Sequence, residues 1–235
     1  MKFENTSVFN FEGALRGMRN PKNSWNKSDS SKDWEEHVGY SICKYVIGKN
    51  DLALAQSLIK AGSEHRKFMR QIFVSVDITA PLYWWKEFDT YKVGTVANST
   101  STMQKLASTP ITIDCFEMDD FENVEIGVQN FTVSQYWSDY IECLESLRKK
   151  YNETKDIRYW KELIRLLPES WLQKRTVTMD YENLLAICSK GQRRFHKLTE
   201  WSKAFIDWAR TLPYAQELIF LDELEEKKNE QKTGE

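Results

Sequence analysis

Residues 64–91 read EHRKFMRQIFVSVDITAPLYWWKEFDTY, and this stretch contains the strongest secondary-structure signals of the chain. Over residues 67–78, apolar side chains occupy mostly alternate positions in a run rich in β-branched residues, which predicts a strand. Pro81 follows at a position that suits the first turn of a helix, where its missing N–H leaves no hydrogen bond unmade. Aromatic side chains are dense from Leu82 to Phe88. We therefore predict a strand that leads into a helix packed inside the protein or at a subunit contact.

Helical patterns precede this stretch, after a polar loop predicted over residues 17–32. Asp33 suits the N-cap of a helix, because two glutamates follow in the first turn, where the helix dipole favours negative charge. Residues 48–50 break that helix. Asp51 then suits the N-cap of a second helix, whose apolar residues follow helical spacing until Gly62 ends it.

The C-terminal half is also mostly helical in pattern. Further helices are predicted over residues 131–153, 156–167, 179–189 and 198–211. The sequence after Leu224 is strongly charged, so it is either a solvated helix end or disordered. We therefore expect one domain over residues 1–224, followed by a charged, disordered tail over residues 225–235.

Composition and charge limit the classes of function. Hydrophobic residues make up 41% and charged residues 29% of the 235 residues, as in ordinary globular proteins. The formal net charge is −2 and the pI is near 6.0, so no bulk electrostatic attraction to nucleic acid or to an anionic membrane is expected. No run of sequence approaches the roughly 18 apolar residues of a membrane span, and the N-terminus shows no signal-peptide pattern. We therefore expect a cytoplasmic protein.

Cysteine, histidine and acidic patterns argue against a metal site. The four cysteines are scattered without a Cys-x-x-Cys pair, which favours reduced, buried thiols over zinc ligands or disulfides. The three histidines lie far apart in sequence. An acidic run over residues 117–125 lacks the ligand spacing of a calcium-binding loop, which favours a solvated surface. No metal ion is therefore expected.

Glu64 and His65, the strand after them and the helix over residues 80–90 together resemble the centre of the flavin-dependent thymidylate synthases. That family carries a Glu-His pair before a core strand. A helix follows the strand and opens into the signature Arg-His-Arg-x-x-Ser-x-Asn-x-x-Ser-x-Arg. The resemblance extends over about residues 52–213, which is most of the chain.

The signature itself is mostly replaced in this chain. Trp85, Lys86 and Glu87 stand where the resemblance expects the Arg-His-Arg triplet. After a short insertion, Asn98 and Ser101 match the second half of the signature. The loop that holds them is rich in hydroxyl groups, so it is either a phosphate-binding loop or a solvated one.

Further differences lie at other arginine positions of the family. Met103 replaces the last arginine of the signature. Glu182 replaces the arginine of a strand-end segment in which Asp180 replaces an asparagine. The nucleotide-activating arginine of the family falls close to Arg193 and Arg194, either of which would take its role if the loop shifts. The resemblance therefore covers the scaffold better than it covers the ligand-binding arginines.

The resemblance implies a fold, a reaction and an assembly. The fold would be α/β, with a central mixed sheet flanked by helices. The family methylates dUMP reductively, with methylenetetrahydrofolate as carbon source, NADPH as reductant and FAD as hydride carrier. Its flavin sites lie between the subunits of a homotetramer, so we expect a homo-oligomer, either a tetramer or a dimer. The many tryptophan and tyrosine residues agree with such an interface.

The resemblance also implies the candidate site residues, although it assigns no catalytic residue here. The expected cofactor-binding residues are Glu64, His65, Trp85, Lys86, Glu87 and Asn98, and the expected substrate-binding residues are Ser101, Arg193 and Arg194. The aromatic run that includes Trp85 would either stack on a flat ligand or belong to the core or a subunit interface. Glu64 and His65 would either bind a ligand or cap a helix end.

The lost arginines bear on the chemistry, because guanidinium groups bind the phosphates of dUMP and FAD through paired, charge-assisted hydrogen bonds. Each such bond contributes roughly 1.5–3 kcal/mol. The carboxylate of Glu87 would also repel a phosphate group, and Lys86 would offset that repulsion only in part. Basic residues near the N-terminus would either supply phosphate contacts or lie scattered on the surface, and these are Arg16, Arg19, Lys22 and Lys27.

We therefore expect a divergent protein of this type that binds a flavin or a nucleotide, with the ordinary methylation of dUMP lost or altered. The alternative from another class is a non-catalytic, homo-oligomeric interaction protein on the same scaffold. A third interpretation is an enzyme that acts on a less phosphorylated pyrimidine. Retained flavin would separate the first interpretation from the second.

Overall fold

The computed structural model describes residues 1–91, 93–118, 125–126, 131–190 and 200–233. These residues have an antiparallel sheet flanked by helices, which confirms the predicted α/β class. They divide into two compact units. The first unit comprises residues 1–2, 77–90 and 97–176, and the second comprises the described residues within 3–76, 91–96 and 177–235. The expected division into one domain and a tail stays a prediction.

The strands form one larger sheet and two short pairs. The strands are β1 (Lys2–Phe9), β2 (Ser31–His37), β3 (Tyr40–Val46), β4 (Phe73–Pro81), β5 (Val96–Ser99), β6 (Glu125–Ile126), β7 (Phe131–Thr132) and β8 (Leu172–Asp180). The larger sheet has the order β1-β4-β8-β5, while β2 pairs with β3 and β6 pairs with β7, both antiparallel. The two central strands, β4 and β8, are therefore neighbours although they lie far apart in sequence.

The helices agree with most of the C-terminal predictions. The first seven are α1 (Phe11–Arg19), α2 (Lys49–Lys60), α3 (Leu82–Phe88), α4 (Thr102–Lys105), α5 (Val133–Thr154), α6 (Ile157–Arg165) and α7 (Tyr181–Ile187). A π-helix, Glu200–Phe205, and three helices, Ile206–Arg210, Ala215–Leu218 and Leu221–Thr233, complete the described chain. The last of these helices covers most of the charged sequence after Leu224. Of the two alternatives given for that sequence, it corresponds to the helix end. In the part of the chain that the structure describes, no helix is both long and apolar enough to cross a membrane.

The central strand β4 carries the alternation that the sequence predicts. Its side chains that are at most 1% exposed are Val74, Val76, Ile78 and Ala80. The strand begins at Phe73, later than expected, because residues Lys67–Gln71 form a 3-10 helix. Phe68 and Met69 are both buried in that helix, and two successive buried residues are incompatible with the two-residue period of a half-buried strand.

The predicted helix from Asp33 is wrong, because residues 31–46 form an antiparallel hairpin. The strands β2 and β3 pair along their whole length. The chain reverses at Gly39, whose φ of +88° is a left-handed conformation that glycine adopts without strain. The paired backbone hydrogen bonds of the two strands outweigh the weak helical preference of the glutamates after Asp33.

The predicted N-cap role of Asp51 is also wrong, because α2 begins at Lys49 after Gly48. The carboxylate of Asp29 takes that role from the preceding segment. It accepts hydrogen bonds from the backbone N–H groups of Asn50 at 2.9 Å and Asp51 at 3.0 Å. The side chain of Asp51 is instead fully buried. The polar segment before the hairpin is therefore bound to α2 and is not a free loop.

A buried ion pair connects α1, the segment after it and α2. The Nε of Arg19 donates to Oδ1 of Asp51 at 2.5 Å, and the two side chains are 3% and 0% exposed. Oδ2 of Asp51 accepts from the hydroxyl groups of Ser28 and Ser30, both at 2.6 Å. Burial alone would raise the pKa of Asp51, but the hydrogen bonds from the two serines and from Arg19 outweigh it and hold the pKa below its ordinary value. The predicted loop is thus anchored to one buried carboxylate.

We expect Asp51→Asn to lower the free energy of unfolding by about 3–5 kcal/mol, because it leaves the Arg19 guanidinium buried without a counter-charge. Urea denaturation followed by circular dichroism measures the change. The matched control Glu12→Gln removes one carboxylate from the pair with Lys32, in which the lysine and glutamate side chains are 49% and 52% exposed. The control should lower the stability far less, because an ion pair on the surface contributes little. Equal losses in the two variants would contradict a structural role for the buried pair.

The same substitution should change the dependence of stability on pH. Because the folded pKa of Asp51 is lowered, its contribution is present above the unfolded pKa of about 3.9 and is lost as the pH falls through the folded pKa. The asparagine variant lacks this contribution, so its stability should fall less steeply than that of the native protein below about pH 4. If the stability of the two proteins fell equally steeply with pH in this range, the lowered pKa of Asp51 would be contradicted.

Candidate functional site

A cavity of about 420 Å³ lies in the second unit beside Glu64 and His65. Met18, Leu58 and Phe68 contribute apolar side chains to its wall. Polar residues from the 3-10 turn after α1 line it as well. The volume is within the range of small-molecule sites, about 300–1,000 Å³, and the mixture of apolar and polar lining is typical of them. This cavity is the candidate functional site.

The turn after α2 places the Glu-His pair at the cavity. The helix is capped at Ala61, and the carbonyl oxygen of Gly62 accepts from the backbone N–H groups of His65 at 3.0 Å and Arg66 at 3.1 Å. This arrangement confirms that the helix ends before Gly62. It also holds the backbone of the pair in a tight turn between α2 and the following 3-10 helix.

Both side chains of the pair are exposed. Glu64 is 81% exposed and lies 3.4 Å from Nζ of Lys67. An exposed pair of this kind contributes only about 0–1 kcal/mol, so a ligand can displace it. The 3-10 helix that follows has Arg66 as its N-cap, without a side-chain hydrogen bond. Glu64 and His65 therefore do not cap that helix.

Trp85 belongs to the core of the first unit. Its side chain is 0% exposed, and its Nε1 donates to the carbonyl oxygens of Ala80 at 3.1 Å and Gln173 at 3.0 Å. The guanidinium of Arg175 lies 4.3 Å from the centre of the Trp85 ring and donates to Asp89 at 2.9 Å. The core alternative therefore describes this tryptophan. A guanidinium from a distant part of the sequence therefore packs against a residue at a position where the resemblance expects an arginine.

The other expected residues around the signature also belong to the first unit. Lys86 is exposed and pairs with Glu169 at 2.5 Å, whereas Glu87 is half-buried. Asn98 is exposed on the strand β5, so the prediction of a loop is wrong at this residue, and Ser101 is half-buried just after that strand. These residues are thus in a different unit from the Glu-His pair, and their ligand-binding roles stay predictions.

Two arginines that were not singled out by sequence patterns contact Glu182. Arg66 Nε donates to Oε1 of Glu182 at 3.1 Å, and Arg70 Nε donates to Oε2 of the same carboxylate. Burial alone would raise the pKa of Glu182, but the hydrogen bonds from Arg70 and Arg66 outweigh it and lower the pKa. The position where the resemblance expects an arginine is therefore an anion between two cations. The four-residue spacing of the two arginines is the sequence signal that could have revealed them.

Asp180, at a position where the resemblance expects an asparagine, has a structural role. Its carboxylate accepts from the backbone N–H of Asn183 at 2.8 Å, and Oδ1 of Asn183 accepts from the backbone N–H of Asp180 at 3.1 Å. This reciprocal pair is a capping box for α7. Burial raises the pKa of Asp180. Helix capping therefore accounts for the aspartate at this position.

We expect Glu182→Arg to destabilise the protein, because three guanidinium groups would then lie together without a carboxylate. The double variant Arg70→Glu, Glu182→Arg restores opposite charges. It should be more stable, by about 1.5–3 kcal/mol, than the sum of the two single changes predicts. Urea denaturation of the native protein and the three variants gives this coupling energy. A coupling energy near zero would show that Arg70 and Glu182 do not interact.

Arg193 and Arg194 lie outside the described residues, as do Asp119, Asp120 and Glu122 of the acidic run. The predicted substrate-binding role of the two arginines therefore stays a prediction. Within residues 1–91, 93–118, 125–126, 131–190 and 200–233, no group of three or more histidine, cysteine, aspartate or glutamate side chains is placed to hold a metal ion.

The four cysteines are free thiols, but they do not share one environment. Cys188 is buried, as expected. Cys43 and Cys143 are exposed, so the prediction of burial is wrong for them. Cys43 is exposed because it lies on the hairpin that replaces the predicted helix, and Cys143 lies on the solvent-facing side of α5.

Comparison with known proteins finds similarity in structure and not in sequence. No protein-family model and no curated protein matches the chain. A crystal structure of the flavin dependent thymidylate synthase ThyX from Helicobacter pylori, complexed with FAD and dUMP, matches with a TM-score of 0.63 at 15% identity. This match covers 94% of this chain and 99% of that chain.

Two further structures match over a similar extent. A second structure of the Helicobacter pylori enzyme with FAD and dUMP has a TM-score of 0.63 at 14% identity and covers 94% of this chain and 98% of that chain. The UMP/dUMP methylase PolB from Streptomyces cacaoi, bound with 5-Br dUMP, has a TM-score of 0.55 at 12% identity, with 94% and 95% of the two chains covered. At these identities the matches show the fold. The resemblance to flavin-dependent thymidylate synthases is therefore confirmed for the fold.

Proposed function

We propose that this chain binds a flavin or a nucleotide on a thymidylate synthase-like scaffold, and that the ordinary methylation of dUMP is lost or altered. The observation that carries this proposal is the cavity beside Glu64 and His65, the two residues that the sequence resemblance assigns to cofactor binding. It is called the flavin-type cavity below. Structural neighbours complexed with FAD and dUMP support the same class of ligand.

The cavity combines the two kinds of surface that such a ligand requires. The half-buried side chains of Leu54 and Leu58 offer apolar area, which stabilises a flat ring by about 25 cal/mol for each Å² removed from water. Lys22 and Lys67 line the same cavity and supply positive charge for a phosphate group. The imidazole of His65 offers one donor and one acceptor in its neutral form. The residues present therefore fit a flavin or a nucleotide.

FAD, when bound, supplies hydride transfer, and the contribution of the protein is to bind it, orient it and exclude water. In this chain Glu64 would accept hydrogen bonds from N–H groups of the ligand. Lys67, released from its exposed pair with Glu64, would bind a phosphate oxygen. Binding would break only the exposed ion pair between Glu64 and Lys67. The loss of such a surface pair costs little free energy.

The expected loss of ordinary methylation follows from the replaced charges. The resemblance places arginines where this chain has Trp85 and Glu87, and the tryptophan is fully buried. Glu182 stands at a further arginine position, and its carboxylate is occupied by Arg66 and Arg70. Each missing charge-assisted contact to a phosphate removes roughly 1.5–3 kcal/mol. Several losses together would weaken the binding of dUMP in a reactive orientation by orders of magnitude.

The visible absorption spectrum of the purified protein tests flavin binding, before and after excess FAD is added and free FAD is removed. We expect a bound isoalloxazine band. Leu58→Trp should fill the cavity and weaken FAD binding at least about tenfold. The control His37→Ala changes an exposed histidine on β2, outside the cavity, and should leave binding unchanged. No band in the native protein, even with excess FAD, would contradict the flavin assignment.

A methylation assay tests the second half of the same proposal. Purified protein is mixed with dUMP, methylenetetrahydrofolate, NADPH and FAD, and dTMP is quantified by chromatography. We expect dTMP formation to be absent or slower by orders of magnitude, because the phosphate-binding arginines are replaced. Formation of dTMP at an ordinary enzymatic rate, about 1 s⁻¹ or faster, would contradict this expectation.

The exposed hairpin favours a second candidate function, a non-catalytic homo-oligomeric interaction protein. Every residue of β2 is exposed, and Trp34 is 61% exposed. Val38, in the turn of the hairpin, is fully exposed. A two-stranded hairpin is only marginally stable by itself in water, and exposed large apolar side chains indicate a contact surface. A second copy of the chain is the partner expected under this alternative.

We expect the native protein to be a dimer or tetramer and Trp34→Ser to weaken its assembly, because the substitution removes the largest apolar side chain of β2. Light scattering coupled to size-exclusion chromatography, over a range of concentrations, should show a dissociation constant raised at least about tenfold. Val93→Ser is the control, since Val93 is 88% exposed outside the hairpin. A monomeric native protein would contradict the oligomer, and an unchanged Trp34→Ser variant would exclude the hairpin as the contact.

A further inference from the structure

A second cavity adjoins the flavin-type cavity in the same unit. It has a volume of about 740 Å³ and shares Lys22, Ser24 and Leu54 with that cavity. Its ionisable lining residues are all cations, because Arg19 and Lys27 join Lys22 there and no acidic side chain lines it. Three carboxamide side chains also line it, those of Asn23, Asn26 and Asn50. We call this region the basic hollow.

The guanidinium of Arg19 in the wall of the hollow has unused hydrogen-bonding capacity. Its side chain is 3% exposed, its Nε donates to Asp51, and its Nη1 donates to the carbonyl oxygen of Ser24 at 3.2 Å. Its Nη2 is buried without a hydrogen-bond partner among the described residues. Buried donors in native proteins are almost always paired with protein, water or ligand. An oxygen atom from outside the described chain would satisfy this group.

Two carboxylates close to this segment already accept hydrogen bonds from the protein itself. Asp51 accepts from Arg19 and from serine hydroxyl groups. Asp29 accepts from two backbone N–H groups at the start of α2. By contrast, Lys22 and Lys27 have exposed side chains. The hollow therefore presents positive charge and amide donors to whatever enters it.

We infer that the basic hollow binds a phosphate group, namely the phosphate end of a ligand whose ring lies in the flavin-type cavity. This inference rests on the proposed function. Guanidinium, ammonium and amide donors together are the groups that hold a tetrahedral oxyanion. Because the two regions share three lining residues, one ligand can occupy both. The N-terminal segment thereby supplies phosphate contacts that the replaced signature does not.

Flavins with and without phosphate test this inference. Dissociation constants of riboflavin, FMN and FAD are measured by flavin fluorescence for the native protein, Lys22→Gln/Lys27→Gln and the control Lys150→Gln/Lys161→Gln. The control removes two exposed lysines of the first unit. We expect the hollow variant to bind FMN and FAD at least about tenfold more weakly and riboflavin within about twofold of native. The control should match the native protein for all three.

Salt and free phosphate provide a second readout. The advantage of FAD over riboflavin should shrink as ionic strength rises, because exposed cations are screened over about 10 Å at 0.1 M salt. Inorganic phosphate should compete with FMN and FAD in the native protein and leave riboflavin binding unchanged. Equal affinities of FMN for the native protein and the hollow variant would overturn the inference while leaving the proposed flavin site intact.

Failure of the proposed function would give a different result. If none of the three flavins binds, the flavin assignment is wrong, and inorganic phosphate alone then decides about the hollow. Phosphate that raises the melting temperature of the native protein and of the control, but not of Lys22→Gln/Lys27→Gln, would support the phosphate site. Equal shifts in all three proteins, or no shift in any, would overturn it.

Discussion

The buried ion pair between Arg19 and Asp51 is the interaction on which the candidate site depends. It joins the end of α1 to the first turn of α2, and two serine hydroxyl groups bind the intervening segment to the same carboxylate. That segment contributes walls to both the cavity beside Glu64 and His65 and the basic hollow. A buried pair is stable only when additional hydrogen bonds offset the lost hydration. The walls of the site are therefore positioned by a charge network as well as by apolar packing.

Several arginines of the described chain lie at positions that the sequence resemblance does not assign. Arg66 and Arg70 come from the start of the central stretch and contact Glu182, while Arg175 packs on Trp85 in the first unit. These guanidinium groups are held by carboxylates, and binding a phosphate would require them to exchange one anion for another. The fold is similar to that of the matched structures, and these guanidinium groups pair with carboxylates of the chain itself. Because one fold hosts many activities, the identity of the ligand depends on the residues of the site and not on the fold.

Local periodicity explains which elements were predictable. The strand β4 and the aromatic helix α3 bury a regular subset of their own residues, and α5 and α6 each place partly buried apolar residues around one buried leucine. Such patterns are visible in a short window of sequence. The helix expected from Asp33 failed because a hairpin draws its stability from a partner strand, which a helix-capping rule does not consider. The cap assigned to Asp51 failed because Asp29, over twenty residues away, supplies the capping oxygen atoms.

The sequence by itself determined the α/β class, the strand and helix at the centre of the chain and the position of the Glu-His pair before that strand. Only the tertiary structure decided that Trp85 is core, that Glu182 lies between two arginines and that Arg19 shares a buried carboxylate with two serines. Periodicity and capping act over a few neighbouring residues, so a sequence reports them directly. Ion pairs and cavities join residues that are distant along the chain, and their existence depends on how the elements pack.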